Sequence, residues 1–254
     1  MGIQPFVTRN RFRSTLLAIV ALLSFSFFSF SAAQGPATAL DFDGVDDTVT
    51  IPTFTNAPLL NSARTVEAWI KIPSTFTGYG MVFAYGGPDG TAYYYQRLSV
   101  GVQNGAITVE SNNSTVTWPA TVNNNAWHHL AFVYAGSGGI AAASVYLDGT
   151  ALTGPTSSKG TTALATVSGP AFLGSLNGTS FFLPGTIDEV RVWNVARTQA
   201  EIRAAKATEL AGNEANLVAY YQLNAGVAGG TNTGVTTAND LTTGASTGTL
   251  SGLP

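Results

Sequence analysis

Gly185-Thr186-Ile187-Asp188-Glu189-Val190-Arg191-Val192-Trp193-Asn194 is the stretch that decides the fold. Val190 and Val192 fall on one side of an extended chain, and Glu189, Arg191 and Trp193 on the other. That period of two is the signature of a strand with one face against a core, and its length suits a position near the centre of a sheet. Thr65-Val66-Glu67-Ala68-Trp69-Ile70-Lys71-Ile72 repeats the pattern. There Val66, Ala68, Ile70 and Ile72 share the inward face, and Thr65, Glu67, Trp69 and Lys71 share the other.

Working outward, short strands are predicted at residues 39–42, 48–51, 65–72, 80–85, 93–100, 106–110 and 115–118, and again at 127–134, 142–147, 171–174, 185–194 and 217–222. Gly, Asn and Asp separate them, which indicates an all-β sandwich or barrel rather than alternating strands and helices. Asn104-Gly105 and Asp148-Gly149 can both take the positive φ angles of a type I′ turn, so each predicts a tight hairpin. One helix is expected, over residues 199–207. Thr198-Gln199-Ala200-Glu201 is a capping box, Ile202, Ala205 and Leu210 suit packing on a sheet edge, and Gly212 is a stop.

The 254 residues carry a net charge of −3, with no Cys and only 10% charged side chains. No basic surface suggests nucleic acid, and no glycine-rich phosphate loop suggests a nucleotide. Arg9, Arg11 and Arg13 precede a 15-residue apolar run, Leu16 to Phe30, which ends in Ser31-Ala32-Ala33. Charge, apolar run and small residues in that order form a signal peptide, and the run is shorter than the roughly 20 residues of a membrane span. Residues 1–33 are therefore expected to be cleaved, so that the membrane is met only through the leader and the product is secreted or held at the cell surface. Eight basic and 14 acidic residues then remain, a net charge of −6. An exported chain without disulfides must draw its stability from a large core or a bound metal. Residues 226–254, rich in Gly, Thr and Ala, are expected to be a loosely packed tail or linker.

Several of these segments, in this order, resemble the laminin-G-like jelly-roll domains of the concanavalin A-like lectin/glucanase superfamily. Residues 39–47, Ala-Leu-Asp-Phe-Asp-Gly-Val-Asp-Asp, are similar to that family's opening strand and turn. Thr65 to Lys71 matches its second long strand, and Trp127-His128-His129-Leu130-Ala131 with Val145-Tyr146-Leu147-Asp148-Gly149 its central hairpin. Gly185 to Asn194 followed by Ala196-Arg197-Thr198 is the most specific match, and Leu217-Val218-Ala219-Tyr220-Tyr221 resembles the closing strand. The resemblance spans most of residues 34–225. It implies two antiparallel sheets of six or seven strands in jelly-roll order, with the first and late strands side by side.

It implies in turn that Asp43 and Asp188 can meet, with the Gly44 carbonyl between them, as a structural calcium site. Calcium takes six to eight oxygens from carboxylates, carbonyls and water. Asp-Gly and Asp-Asp also favour tight turns without any metal, and both explanations stay open. Glycoside hydrolysis needs two carboxyl groups about 5 to 9 Å apart across a cleft. Glucanases of the superfamily place them on one strand as Glu-x-Asp-x-x-Glu, and no such pattern occurs. Glu67 and Lys71 share a face, as do Glu189 and Arg191, so each carboxylate reads instead as one half of a cross-strand ion pair. His128 and His129 point to opposite faces of a strand and cannot share one ion. Sugar sites combine an exposed aromatic platform with polar groups, and among Tyr79, Tyr85, Tyr93, Tyr94, Tyr95 and Trp118 the ligand-binding candidates are Tyr94 and Trp118. The expected function is a noncatalytic module recognising glycans or cell-surface proteins. The alternatives are a structural spacer and a divergent glycoside hydrolase.

Overall fold

The computed structural model describes residues 38–87, 96–156, 162–225 and 234–252; the expected leader, residues 1–33, and Tyr94 lie outside them. In chain order the strands are β1 (Leu40–Asp43), β2 (Thr48–Ile51), β3 (Arg64–Lys71), β4 (Tyr79–Gly86) and β5 (Arg97–Gln103). Next come β6 (Ala106–Ser111), β7 (Ser114–Trp118), β8 (Trp127–Tyr134), β9 (Ser144–Leu147) and β10 (Thr150–Ala151). The last are β11 (Ala171–Leu173), β12 (Pro184–Trp193), β13 (Leu217–Tyr221), β14 (Thr237–Ala238) and β15 (Gly248–Ser251), with helix α1 (Gln199–Ala205) between β12 and β13.

The first sheet runs β1-β12-β3-β8-β9-β10, with β13 also paired to β12; the second runs β14-β15-β2-β11-β4-β5-β6-β7. All pairs are antiparallel, and the architecture is the expected two-sheet jelly-roll sandwich with one short helix. The inward faces are as the alternation predicts. Val66, Ala68, Ile70, Val190 and Val192 of the first sheet pack in one core with Leu98, Val100, Val109 and Leu173 of the second. Both hairpin turns hold, with φ of +50° and +83° at Asn104-Gly105 and +54° and +78° at Asp148-Gly149.

Three expectations are corrected. Trp118 is not an exposed platform: it shares its side of β7 with Val116, is 1% exposed, and fills the core. Helix α1 keeps its capping box but lies on the face of the first sheet, not at an edge. There Ile202 is buried against Ala131 and Val133 of β8. Donors rising from the sheet take the carbonyls that the helix end leaves open: Trp69 Nε1 donates to Lys206 O (2.7 Å), and Arg191 donates to Ala205 O (2.8 Å) and Thr208 O (2.6 Å). Finally, the described part of the expected tail, residues 234–252, belongs to the second sheet. β15 pairs with β2 and β14 with β15, while Leu250 packs on the core. The small residues that suggested a linker are needed there, because a Cβ on Gly248 would come within 2.4 Å of Val49.

Trp118→Ala is expected to destabilise by about 3 to 5 kcal/mol in denaturant unfolding, as a large buried side chain leaves a cavity. Thr198→Ala removes a single helix cap and is expected to cost about 1 kcal/mol in the same assay.

Candidate functional site

Strand β12 pairs with β3 along one flank; along the other it pairs first with β1, through Ile187, and then with β13, from Val190 onward. Asp188 and Glu189 fall between those two partners, and the ladder to β3 also shifts register there. Glu189 adopts φ +51°, the left-handed region that a non-glycine residue enters only where the fold forces it. The sheet therefore has a gap at its most central strand.

Glu189 is satisfied: its carboxylate pairs with Arg191 and accepts from the Tyr220 hydroxyl at 2.8 Å. Asp188 is not. It is 1% exposed, and both of its carboxylate oxygens are buried without a hydrogen-bond partner. Burial pushes its pKa up to about 8, and the negative charges of Glu189 and Glu209 add to the rise. The Glu189 amide and Arg191 pull the other way, the amide without reaching hydrogen-bond geometry. Polar groups from the two strand ends bond to one another. Thr38, just before β1, donates to Asn224 Oδ1 (2.6 Å), and Asn224, just after β13, donates to Glu209 Oε1 (3.0 Å). A buried carboxylate with neither oxygen partnered has the donor chemistry that calcium takes.

The expected pairing of Asp43 with Asp188 does not occur. β1 and β12 are neighbours, but Asp43 stands opposite Pro184, four residues from Asp188 along the strand, which is about 13 Å. Gly44 abuts Pro184 and turns the chain at φ +80° toward β2. Asp43 instead gathers with Asp46 and Asp47, one carboxylate oxygen of each lying within 4.8 Å of the others.

The remaining charged residues of the first sheet are structural. Glu67 is buried between Arg197 (2.8 Å) and His129 (3.3 Å); burial alone would raise its pKa, but these two partners hold it below the usual carboxylate value. His129 is sealed on the helix-covered face, and His128 bonds Asp148 and Asn124 at the strand end. Glu67 thus has the expected ion pair across strands, with His129 of the neighbouring β8.

The second sheet presents a different surface on its outward face. Register lines up Thr249, Thr50, Phe172, Ala84, Ser99, Glu110 and Thr115 in one row across seven strands. Arg97 spans the row, reaching Ser99 Oγ (3.3 Å) and Glu110 (3.4 Å). It lies between two hollows, one of about 50 Å³ lined by Phe172, Leu176 and Asn177, and one of about 90 Å³ lined by Glu110, Asn113 and Thr115. Glu110 is the single carboxylate on the described strands of this sheet. The alternation of Ser99, Thr108, Glu110, Thr115 and Thr117 with core residues already carried this polar face in the sequence; the aromatic that joins it, Phe172, had no such signal.

Residues 43–203 match the family model described as the concanavalin A-like lectin/glucanases superfamily. No curated protein matches the chain. Among solved structures, a candidate carbohydrate-binding protein from Bacteroides ovatus ATCC 8483 is 18% identical with a TM-score of 0.59, over 86% of this chain. The chain spans 60% of the length of that protein. NanB, in a structure with Optactamide, is 17% identical with a TM-score of 0.51, over 66% of this chain and 27% of its own. Domains LG4-5 of the mouse laminin α1 chain are 16% identical with a TM-score of 0.45, over 67% and 45%. At these identities the likeness is one of fold.

The gap at Asp188 sets a pH dependence. The folded chain keeps the Asp188 proton up to about pH 8, whereas an unfolded chain loses it near 3.9. Between those values the native state holds the extra proton, so stability in chelator falls as pH rises, by at most about 1.4 kcal/mol per unit. Denaturant melts in EDTA from about pH 5 to 8 are expected to show that decline, and Asp188→Asn to flatten it.

Proposed function

The chain belongs to the concanavalin A-like lectin/glucanases superfamily, and on that premise we propose that it is a secreted, noncatalytic module that recognises glycans and is stiffened by calcium. The observation that carries the recognition reading is the polar row on the second sheet. A pyranose ring needs an apolar surface for its C–H face and paired donors and acceptors for its hydroxyls. Phe172 offers the first. Arg97 and Glu110, bonded to each other, offer a donor and an acceptor side by side, the arrangement suited to two adjacent hydroxyl groups on a neutral sugar. The candidate carbohydrate-binding protein of Bacteroides ovatus shares the fold and is consistent with this use.

Hydrolysis is disfavoured by geometry. A glycosidase needs two carboxyl groups facing each other across an open groove. Among the described residues Glu110 has no second carboxylate on its face of the sheet, while Glu67 and Glu189 are sealed beneath the α1 side of the first sheet in ion pairs. No described helix is long and apolar enough to cross a membrane, and the leader expected over residues 1–33 supports export.

Calcium is assigned to the β12 gap, with Asp188 as the principal ligand and oxygen groups near Thr38, Asn224 and Glu209 as the remainder. An ion there would tie the strand ends before β1 and after β13 to the central strand, and so close the first sheet. Calcium at a hundredfold excess over its dissociation constant is expected to stabilise the protein by about 2.7 kcal/mol, and Asp188→Asn to abolish that gain. A melting temperature indifferent to both calcium and EDTA would remove the metal from the account.

On a glycan array, the parent is expected to bind a defined set of neutral glycans, and Phe172→Ala and Glu110→Gln each to weaken binding at least tenfold with melting unchanged. An empty array would leave the spacer reading in place. Release of reducing sugar from mixed polysaccharides, lost in Glu110→Gln, would overturn the noncatalytic assignment.

A further inference from the structure

Residues 174–183 connect β11 to β12 and lie on the outward face of the second sheet, where Leu176 packs on Met81 and Ala84 of β4. Strand β4 holds both feet of this connection. The Gly174 amide donates to Val82 O (3.3 Å), and the Met81 amide donates to Phe181 O (2.9 Å). Short polar side chains tie the middle: Asn177 Oδ1 accepts the hydroxyls of Thr179 and Ser180 (2.9 Å each), and the Gly178 amide donates to Ser175 Oγ (3.0 Å). The loop is therefore a built part of the surface.

Two features of Phe181 are not explained by that packing. Its side chain is 42% exposed, and its φ is +50°, the left-handed region that a bulky residue enters only under constraint. Glycine or asparagine would suit the backbone, and burial would suit the ring; the position has neither. Backbone outliers of this kind cluster where a side chain is held for a ligand. The ring rests on Tyr79 of β4, with centroids 4.9 Å apart and planes inclined by 54°. Tyr79 itself packs on the cluster of Met81, Ala84 and Leu176, which gives Phe181 a rigid backing.

Tyr79 also ties the aromatic pair to the polar row. Burial raises its pKa, the negative charge of Glu110 adds to the rise, and Arg97 opposes it. The Tyr79 hydroxyl thus lies within reach of both members of the Arg97–Glu110 ion pair. Phe172 joins the row opposite Ala84, whereas Tyr79 stands five residues earlier on β4, at most about 17 Å away along an extended strand. Residues 171–183 carry no charged side chain.

We infer that Phe181, backed by Tyr79, is a second sugar platform beyond Arg97 and Glu110, so that the module takes a neutral oligosaccharide over several consecutive rings rather than one terminal sugar. The inference rests on the glycan-recognition reading of this sheet. One ring lies on Phe172 and a later ring on Phe181, and Arg97 and Glu110 bond hydroxyl groups between them. The uncharged loop beside this path suits a neutral chain. Two subsites filled by one ligand act as linked binding events, so affinity climbs with chain length until both are occupied.

Calorimetric titration with cello-, xylo- and malto-oligosaccharides, each from the disaccharide to the hexasaccharide, tests it. The parent is expected to bind the longest member of at least one series about tenfold tighter than its disaccharide. Phe181→Asn suits the left-handed backbone, so its melting temperature is expected to hold. It is expected to erase the gain with length while leaving the disaccharide affinity as in the parent, and Phe181→Trp to retain the gain. Affinity that does not rise with length in the parent, or a rise that survives Phe181→Asn, would overturn the second platform; disaccharide binding lost in Phe172→Ala would then still uphold glycan recognition. A parent that binds no member of any series would also overturn the inference, and only an empty glycan array besides would take the glycan reading with it.

Discussion

One strand, Pro184–Trp193, exchanges backbone hydrogen bonds with three others, and the rest of the first sheet is arranged around how it shares its flanks. A strand has two edges. Three partners fit only if two of them divide one edge, and the division leaves an interval where neither reaches. The left-handed turn at Glu189, the register shift against β3 and the unpartnered Asp188 all follow from that single constraint. Tyr220 and Arg191 hold Glu189, so within the interval Asp188 alone has both carboxylate oxygens buried without a hydrogen-bond partner.

The two sheets have opposite outer faces, for physical reasons that begin in the sequence. On the first, Trp69, Arg191 and Glu67 are too large and too polar to be left open on the sheet, and α1 roofs them. Their donors satisfy the helix carbonyls while the helix removes their apolar bodies from water. On the second, many outward positions are threonine and serine; the centre of the face, Ala84 with Met81, is covered by Leu176, and the more open positions, such as Glu110 and Thr115, lie toward its β6–β7 side. Arg97, Glu110 and Phe172 are the larger side chains of the outward row and its hollows.

Much of this was legible before any coordinates. Period-two alternation placed the inward residues of β3 and β12, the Asn-Gly and Asp-Gly turns placed two hairpins, and Thr198 with Glu201 placed the helix start. Alternation also carried the answer for Trp118, which falls two residues from Val116 and so faces the same way. What the sequence does not carry is register between distant strands. Pairing β1 with β12 was expected, yet a shift of four residues separates Asp43 from Asp188, and no local pattern encodes that offset. The last strand is hidden because its Gly- and Thr-rich composition is also that of a loose linker, whereas Gly248 is required by the closeness of Val49.

The roof on the first sheet has an outcome for how strongly such a protein can hold a surface. Under the proposed reading, a module with one sheet face closed would meet a polymer through the other. Tight retention then comes from repetition: several copies on one surface, each contributing a weak grip, raise the effective concentration of the next.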